Sequence, residues 1–261
     1  EEGGAKEVRM SKPWVTLDQR ETPDGVLELR RRDADDFLIL VGGRVLMNSR
    51  ASRSEEELGV RACAGLEGNA KVLVGGLGMG LTLRAVLASL SEESRVSVAE
   101  LHPIIVEWCR GPLAELAGGA VDDPRVTTQI SDVAEVIKKA ATEKEDFDAI
   151  VIDLFEGPHA KTDAIGDPLY GKKAIARTWD ALAPGGVFGV WAEAEERQFE
   201  ARLRAQGFKV EARARVVFSP SKRYLALVIE SITNVLEFEN PQEFKIDVSK
   251  GISNSFANNV R

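Results

Sequence analysis

The sequence predicts an α/β protein: a doubly wound, mostly parallel sheet of seven strands behind a small antiparallel β region. Three observations carry this. From Lys71 onward, short apolar runs alternate with helix-like runs through five successive strand–helix steps. Such steps imply a mainly parallel sheet covered on both faces. A glycine cluster sits where the first of these strands meets its helix, in KVLVGGLGMGLTLR (71–84). Ahead of it, residues 14–48 alternate apolar and polar side chains in runs too short for helices.

The elements follow in order. Residues 1–13 open with EEGGAKEVRM, acidic and polar, which does not read as a signal peptide. They read as an N-terminal extension, with Met10 the expected natural start. The runs WVTL, VLELR, FLILV and RVLMN, separated by PDG (23–25) and GG (42–43), place a small β region at 14–53. Ser54-Glu55-Glu56-Glu57 has the S-x-x-E form of a capping box and predicts a helix to about Leu66. The main domain, 54–230, is then expected to place strands at 71–75, 95–99, 125–130, 147–153 and 186–191. Its helices are expected at 81–90, 103–117, 132–141, 170–183 and 194–206. Ala-Pro-Gly-Gly (183–186) reads as a helix stop and turn. Two further strands, near 208–218 and 223–230, are joined by SPSK and expected to pair as an antiparallel hairpin at the sheet edge. Residues 231–261 hold five of the chain's seven asparagines and one alanine, unlike the alanine- and arginine-rich stretch before them. They read as a tail of separate origin, with FKIDV alternating like a strand.

Composition excludes several functions. With 261 residues and 44 % hydrophobic side chains, a full core is available. A net charge of −8 argues against nucleic acid as a partner. Arg30-Arg31-Arg32 is followed by Asp33, Asp35 and Asp36, so it reads as a solvated strand end rather than a phosphate patch. No apolar run approaches the roughly 20 residues that span a bilayer, so no membrane partner is expected. Cys63 and Cys109 read as buried free thiols, which suits a reducing cytoplasm. Neither His102 nor His159 has a zinc-site spacing to them, so no metal is expected.

Open α/β sheets hold ligands at the carboxyl ends of their strands, and the chemistry-bearing residues fall there. Gly76, Gly78 and Gly80 let the backbone approach a ligand closely. Glu100 ends the next strand, about 20 residues on, where an acid accepts bonds from ribose hydroxyls. Asp132, just past the third strand, suits both a helix cap and an adenine amino group. Asp153 and Glu156, in VIDLFEGP (151–158), place two carboxylates at the sheet mouth, fit to bind an amine and take its proton. The glycine loop and Glu100 alone suit a dinucleotide dehydrogenase equally, but no Tyr-x-x-x-Lys pair or placed histidine supplies its proton relay. Gly80-Leu81-Thr82 lacks the lysine of a P-loop.

The order of these motifs over residues 14–230 resembles the spermidine-synthase-like family, aminopropyltransferases and relatives on the Rossmann-like S-adenosylmethionine-dependent methyltransferase fold. The resemblance rests on VLVGGLGMGLTLRAVL, VSVAELHPIIVEWCR, DPRVTTQISDVAEVI, FDAIVIDLFEGP and PLYGKKAIARTWDALAPGGVFGVW. Thr82, Leu83, Arg84 and Val86 match the family's T-L-R-x-V. It implies that Gly76, Gly78 and Gly80 form the donor loop, that Glu100 binds the ribose and Asp132 the adenine side. It further implies that Asp153 deprotonates the attacking amine, with Glu156 in place of a second, amine-holding aspartate. Relatives' habits imply a homo-oligomer.

The departures bear on the reaction. Where the family loop G-G-G-D-G-G has an aspartate for the donor's ammonium, this chain has Met79. Of a family Tyr-His-Glu segment only the glutamate is matched, in Glu55-Glu56-Glu57, and a glutamine is replaced by Met47. Losing one charged hydrogen bond costs about 1.5–3 kcal/mol. Met79 is therefore expected to stand at the donor, to weaken binding of the decarboxylated donor and to tolerate the carboxylate of the full one; the alternative is a packing residue, with the donor's tail held by other groups. The leading expectation is S-adenosylmethionine-dependent methyl transfer to a small amine- or hydroxyl-bearing acceptor. The alternative is aminopropyl transfer from decarboxylated S-adenosylmethionine. A third reading is a non-catalytic nucleoside- or partner-binding protein with 231–261 as a docking strand. The 154–170 loop is expected to act as a lid, with Tyr170 a candidate to face the substrate and His159 either a second such candidate or, the favoured reading, a solvent-exposed loop residue.

Overall fold

The computed structural model describes residues 12–155, 157–158, 166–192, 196–212 and 225–230. These all fall in one unit, Glu1–Ser231, while the second, Ile232–Arg261, lies outside them. The compositionally distinct tail with its FKIDV run, and nearly all of the N-terminal extension, therefore lie outside the described residues.

The expected β region is a four-stranded antiparallel meander of β1 (Val15–Thr22), β2 (Gly25–Arg31), β3 (Phe37–Val41) and β4 (Arg44–Asn48), in that order. Alternation decides its buried face: Leu27, Leu29, Phe37 and Ile39 enter the same core cluster as the main sheet. The Trp108 indole donates to Asp18 of β1 at 3.0 Å and adds a polar tie to the body. Within the arginine run, Arg30 pairs with Glu28 at 2.7 Å and Arg32 with the fully buried Asp36 at 2.7 Å.

The helix after it, α1 (Arg53–Ala62), starts earlier and stops sooner than S-x-x-E predicts. Ser52 takes the N-cap position, and the Ser54 hydroxyl turns to the Glu55 carboxylate at 2.6 Å, so no capping box forms.

The main sheet runs β5 (Lys71–Gly75), α2 (Leu81–Ser89), β6 (Arg95–Glu100), α3 (Pro103–Arg110), α4 (Ala114–Ala117), β7 (Val126–Ile130), α5 (Val133–Glu143), β8 (Phe147–Ile152), α6 (Lys172–Asp180), β9 (Leu182–Ala192), α7 (Arg197–Gln206), β10 (Lys209–Ala212) and β11 (Leu225–Glu230). The strand order is β10-β11-β9-β8-β5-β6-β7, every neighbouring pair parallel. Successive residues of one strand enter opposite layers. Val72 and Val74 join the core shared with the small sheet, α1, α2 and α3, and Leu73 joins that of α5, α6 and α7. Burial on both faces is why these strands read as unbroken apolar runs. No helix among the described residues is long and apolar enough to cross a membrane.

Three expectations are corrected. β11 pairs with β10 in parallel and lies between it and β9, so the last strands are not an edge hairpin. Parallel neighbours need a crossover, which no four-residue turn supplies. Ala-Pro-Gly-Gly is no turn ahead of a strand, because β9 already begins at Leu182. It is absorbed as an irregularity where the pairing jumps from Phe147↔Leu182 to Ala149↔Val187. The helix expected at 103–117 breaks at Gly111-Pro112 into α3 and α4.

Candidate active site

From β5 the strand order proceeds through β6 and β7 on one side and β8 and β9 on the other. A crevice opens at the carboxyl ends where the two directions part. There the small sheet and the main sheet together line a cleft of about 480 Å³.

The glycine loop is its floor. The Gly76 amide donates to the Ala99 carbonyl at 2.9 Å and the Asp153 amide to the Gly75 carbonyl at 2.8 Å, which straps the loop between β6 and β8. Gly76 has φ +88°, and a Cβ there would stand 2.2 Å from the Asp153 main-chain oxygen. Gly78 has φ +52°, and a Cβ there would stand 2.3 Å from Met47 Sδ. Gly76 demands glycine on two counts, its positive φ and the main-chain oxygen against it, whereas at Gly78 the flexible Met47 side chain can give way and the positive φ decides. Gly76 and Gly78 line the cleft, while Gly80 caps α2 behind it.

Glu100 lines the cleft although only 6 % exposed. One of its oxygens accepts the Leu77 amide at 2.9 Å, the other the His102 amide at 2.8 Å. Each carboxylate oxygen has two lone pairs, so the anchored acid retains capacity for hydroxyl donors. Asp132 caps α5, with Oδ1 on the Ala134 amide at 2.8 Å, and also faces the cleft. His102 Nε2 meets the Asp24 carboxylate at 3.2 Å, joining the β1–β2 turn to the segment after Glu100.

Asp153 follows β8 on the opposite wall. Its Oδ2 accepts the Thr82 hydroxyl. Burial, with Glu55 nearby, pushes its carboxyl up to about 7. Glu55 is itself 8 % exposed, lines the cleft, and has its carboxyl pushed up by burial. The Trp191 indole donates to Ser54 Oγ at 3.2 Å, and that hydroxyl donates to Glu55. Leu46, Met47, Leu154, Phe155 and Trp191 complete this end, with the Arg44 guanidinium 4.6 Å over the Phe155 ring.

The cleft thus brings together Gly76, Gly78, Glu100, Asp132 and Asp153. Met79 does not join them. It is 0 % exposed and belongs to the core cluster of Leu81, Trp108 and Leu113, so the expectation of a donor contact gives way to its alternative, a packing residue. Tyr170 is likewise buried, edge-on to Phe199 at 5.5 Å between centroids, rather than turned to the cleft. Glu156 and His159 lie outside the described residues. Sequence reasoning did not place Thr82 in the site; Met47 and a glutamate of Glu55-Glu56-Glu57 entered only as matches to family contact positions, and the structure puts Met47 and Glu55 in the cleft lining. The signal for Glu55 was the matched glutamate, within a run of three that the resemblance did not resolve to one residue.

Cys63 and Cys109 are buried, their thiols pushed up to about 12 by burial, so neither serves as a nucleophile. Charge is the cleft's plainest property. Asp24, Glu55, Glu100, Asp132 and Asp153 line it, and no lysine or arginine does among the described residues. Such a site concentrates cations.

The family model for the spermine/spermidine synthase domain matches residues 55–238. The chain is similar to the polyamine aminopropyltransferase of Mycobacterium tuberculosis (strain ATCC 25618 / H37Rv), 35 % identical over 162 residues, which is 62 % of this chain and 30 % of that protein. It is similar to polyamine aminopropyltransferase 1 of Hyperthermus butylicus, 40 % identical over 119 residues, 45 % of this chain and 39 % of that protein. The chain therefore spans about a third of the length of these relatives. A solved spermidine synthase from Thermotoga maritima superposes with a TM-score of 0.58 at 24 % identity, over 74 % of this chain and 64 % of that one. A spermidine synthase in complex with the transition-state analogue AdoDATO gives 0.56 at 23 %, over 74 % and 63 %. These likenesses bear out the α/β class, with a small antiparallel sheet ahead of a parallel one.

Proposed function

The chain belongs to the spermine/spermidine synthase family, and on that premise we propose that it transfers an aminopropyl group from decarboxylated S-adenosylmethionine to a small amine. The observation that carries this reading is the cleft's charge: acids at both ends and no lysine or arginine in the lining among the described residues. The decarboxylated donor has a sulfonium and an ammonium and no carboxylate, so every charge on it is attracted. The full donor adds a carboxylate that this lining repels.

Methyl transfer, the leading expectation of the sequence, gives way to its alternative. It rested on Met79 facing the donor, and Met79 is core. The relatives named above are aminopropyltransferases. The main sheet is read as the seven-stranded, Rossmann-like methyltransferase arrangement, put to a different transfer.

Gly76 and Gly78 admit the nucleoside against the backbone. Glu100 takes the ribose hydroxyls and Asp132 the adenine amino group. The donor supplies an activated carbon on sulfur. The amine nitrogen bonds to that methylene carbon, the carbon–sulfur bond breaks with its electron pair staying on sulfur, and the nitrogen's proton passes to Asp153. A carboxyl pushed up to about 7 is matched to accept that proton near neutrality. Glu156 is assigned the amine-holding role of the family's second aspartate. Because nothing covalent passes through the protein, placement in line is the main contribution of the cleft.

Calorimetric titration with the two donors tests this. We expect the decarboxylated donor to bind at least tenfold more tightly than the full one. Equal affinity, or preference for the full donor, contradicts the reading.

A further inference from the structure

Among the described residues, Asp153 receives one side-chain hydrogen bond, from the Thr82 hydroxyl in the first turn of α2. Thr82 is 2 % exposed, and its oxygen also lies 3.3 Å from the main-chain oxygen of Glu55. A hydroxyl carries one proton, so two acceptors share one donor. The charge on Asp153 decides between them. While Asp153 is ionised, the charge-assisted bond prevails. Once Asp153 holds a proton it becomes the donor, the Thr82 oxygen accepts, and the hydroxyl hydrogen turns to the Glu55 carbonyl. Neither state leaves a buried polar atom of this trio unpaired, and no heavy atom has to move.

We propose that Thr82 is the positioning residue for Asp153, holding its carboxylate toward the cleft and following its charge by rotating a single hydrogen. The surrounding groups give this weight. Glu55 on α1 opposes ionisation of Asp153 by its charge, and burial opposes it further. Tyr170, ahead of α6, has a phenol pushed up by burial and by Asp167 and Asp153, and its hydroxyl has no hydrogen-bond partner among the described residues. Thr82 is the group among the described residues that favours the ionised base.

The proposal rests on Asp153 being the base, so the test separates the two. Carbon-13 carboxyl NMR, with the Asp153 signal identified by its loss in Asp153→Asn, follows the titration without substrate. In Thr82→Val, which keeps the shape and removes the hydroxyl, the Asp153 midpoint should rise by about one pH unit. The acid limb of the turnover profile should move with it, and Thr82→Ser should restore both. Should the valine variant not fold, Thr82→Ala reads the same midpoint. An unmoved midpoint, or a serine variant shifted as far as the valine one, overturns the positioning role alone when Asp153→Asn has lost turnover. Full turnover in Asp153→Asn overturns the base and the positioning role together.

Discussion

Asp153→Asn should lower turnover by about 10²- to 10⁴-fold, the usual contribution of a general base, and leave donor affinity within a few-fold. In the proposed reading the donor is held by the loop and by Glu100 and Asp132, which also line the cleft and which the substitution does not touch. The same variant should be more stable than the parent at alkaline pH. The Asp153 carboxyl is pushed up from 3.8 to about 7 in the folded chain. Between those values the folded state holds a proton that the unfolded chain has released. Stability therefore falls as pH rises from about 4 through 7. A gap of roughly three pH units corresponds to a few kcal/mol at most. Asparagine cannot ionise, so the loss disappears with the charge. Denaturant midpoints at pH 5 and pH 8 read it directly: the parent should drop markedly between them and the variant much less. A residual drop of the same sign is expected from Glu55, whose carboxyl is also pushed up. Full turnover, or identical pH dependence in both proteins, contradicts the assignment.

Gly76→Ala should be the most damaging single-methyl change in the cleft. At φ +88° a side chain is strained by about 1–2 kcal/mol. The added carbon would also stand 2.2 Å from the Asp153 main-chain oxygen. That oxygen cannot swing aside freely, because the neighbouring amide of Asp153 is bonded to Gly75 in the same strap. Together these should lower unfolding free energy by about 3 kcal/mol or more, as a lower denaturant midpoint at unchanged slope. Turnover should fall with it, since Asp153 shifts. Gly42→Ala is the control: its φ is +52° with open space around it, so strain alone applies. Equal stability of the two variants contradicts the account of the loop.

The residues that were legible in the sequence share one property: their position follows from local rules. The strands from Lys71 onward are apolar on both sides because each feeds two cores, as Val72, Leu73 and Val74 do in turn. Glu100, Asp132 and Asp153 were legible as cleft residues because each stands at the carboxyl end of a strand, where a parallel sheet opens its crevice. What the residue pattern alone left open depends on tertiary placement. Glu55 and Met47 reach the cleft only because the small sheet and α1 fold over the main sheet. Which loop side chain faces inward was equally hidden. Gly78 and Gly80 both take positive φ, and the turn they make carries Met79 into the core. Punctuation misled where packing overrode it: Pro184-Gly185-Gly186 lies inside β9 rather than ahead of it. Ser54 looked like a cap and instead serves Glu55 and Trp191.

The reaction itself is open to one direct measurement. The protein is incubated with decarboxylated S-adenosylmethionine, and separately with S-adenosylmethionine, against a panel of small amines, and the products are read by mass spectrometry. Aminopropyl transfer predicts methylthioadenosine together with an aminopropylated amine, from the decarboxylated donor only. Formation of S-adenosylhomocysteine and a methylated amine from the full donor, with no methylthioadenosine from the other, would contradict it.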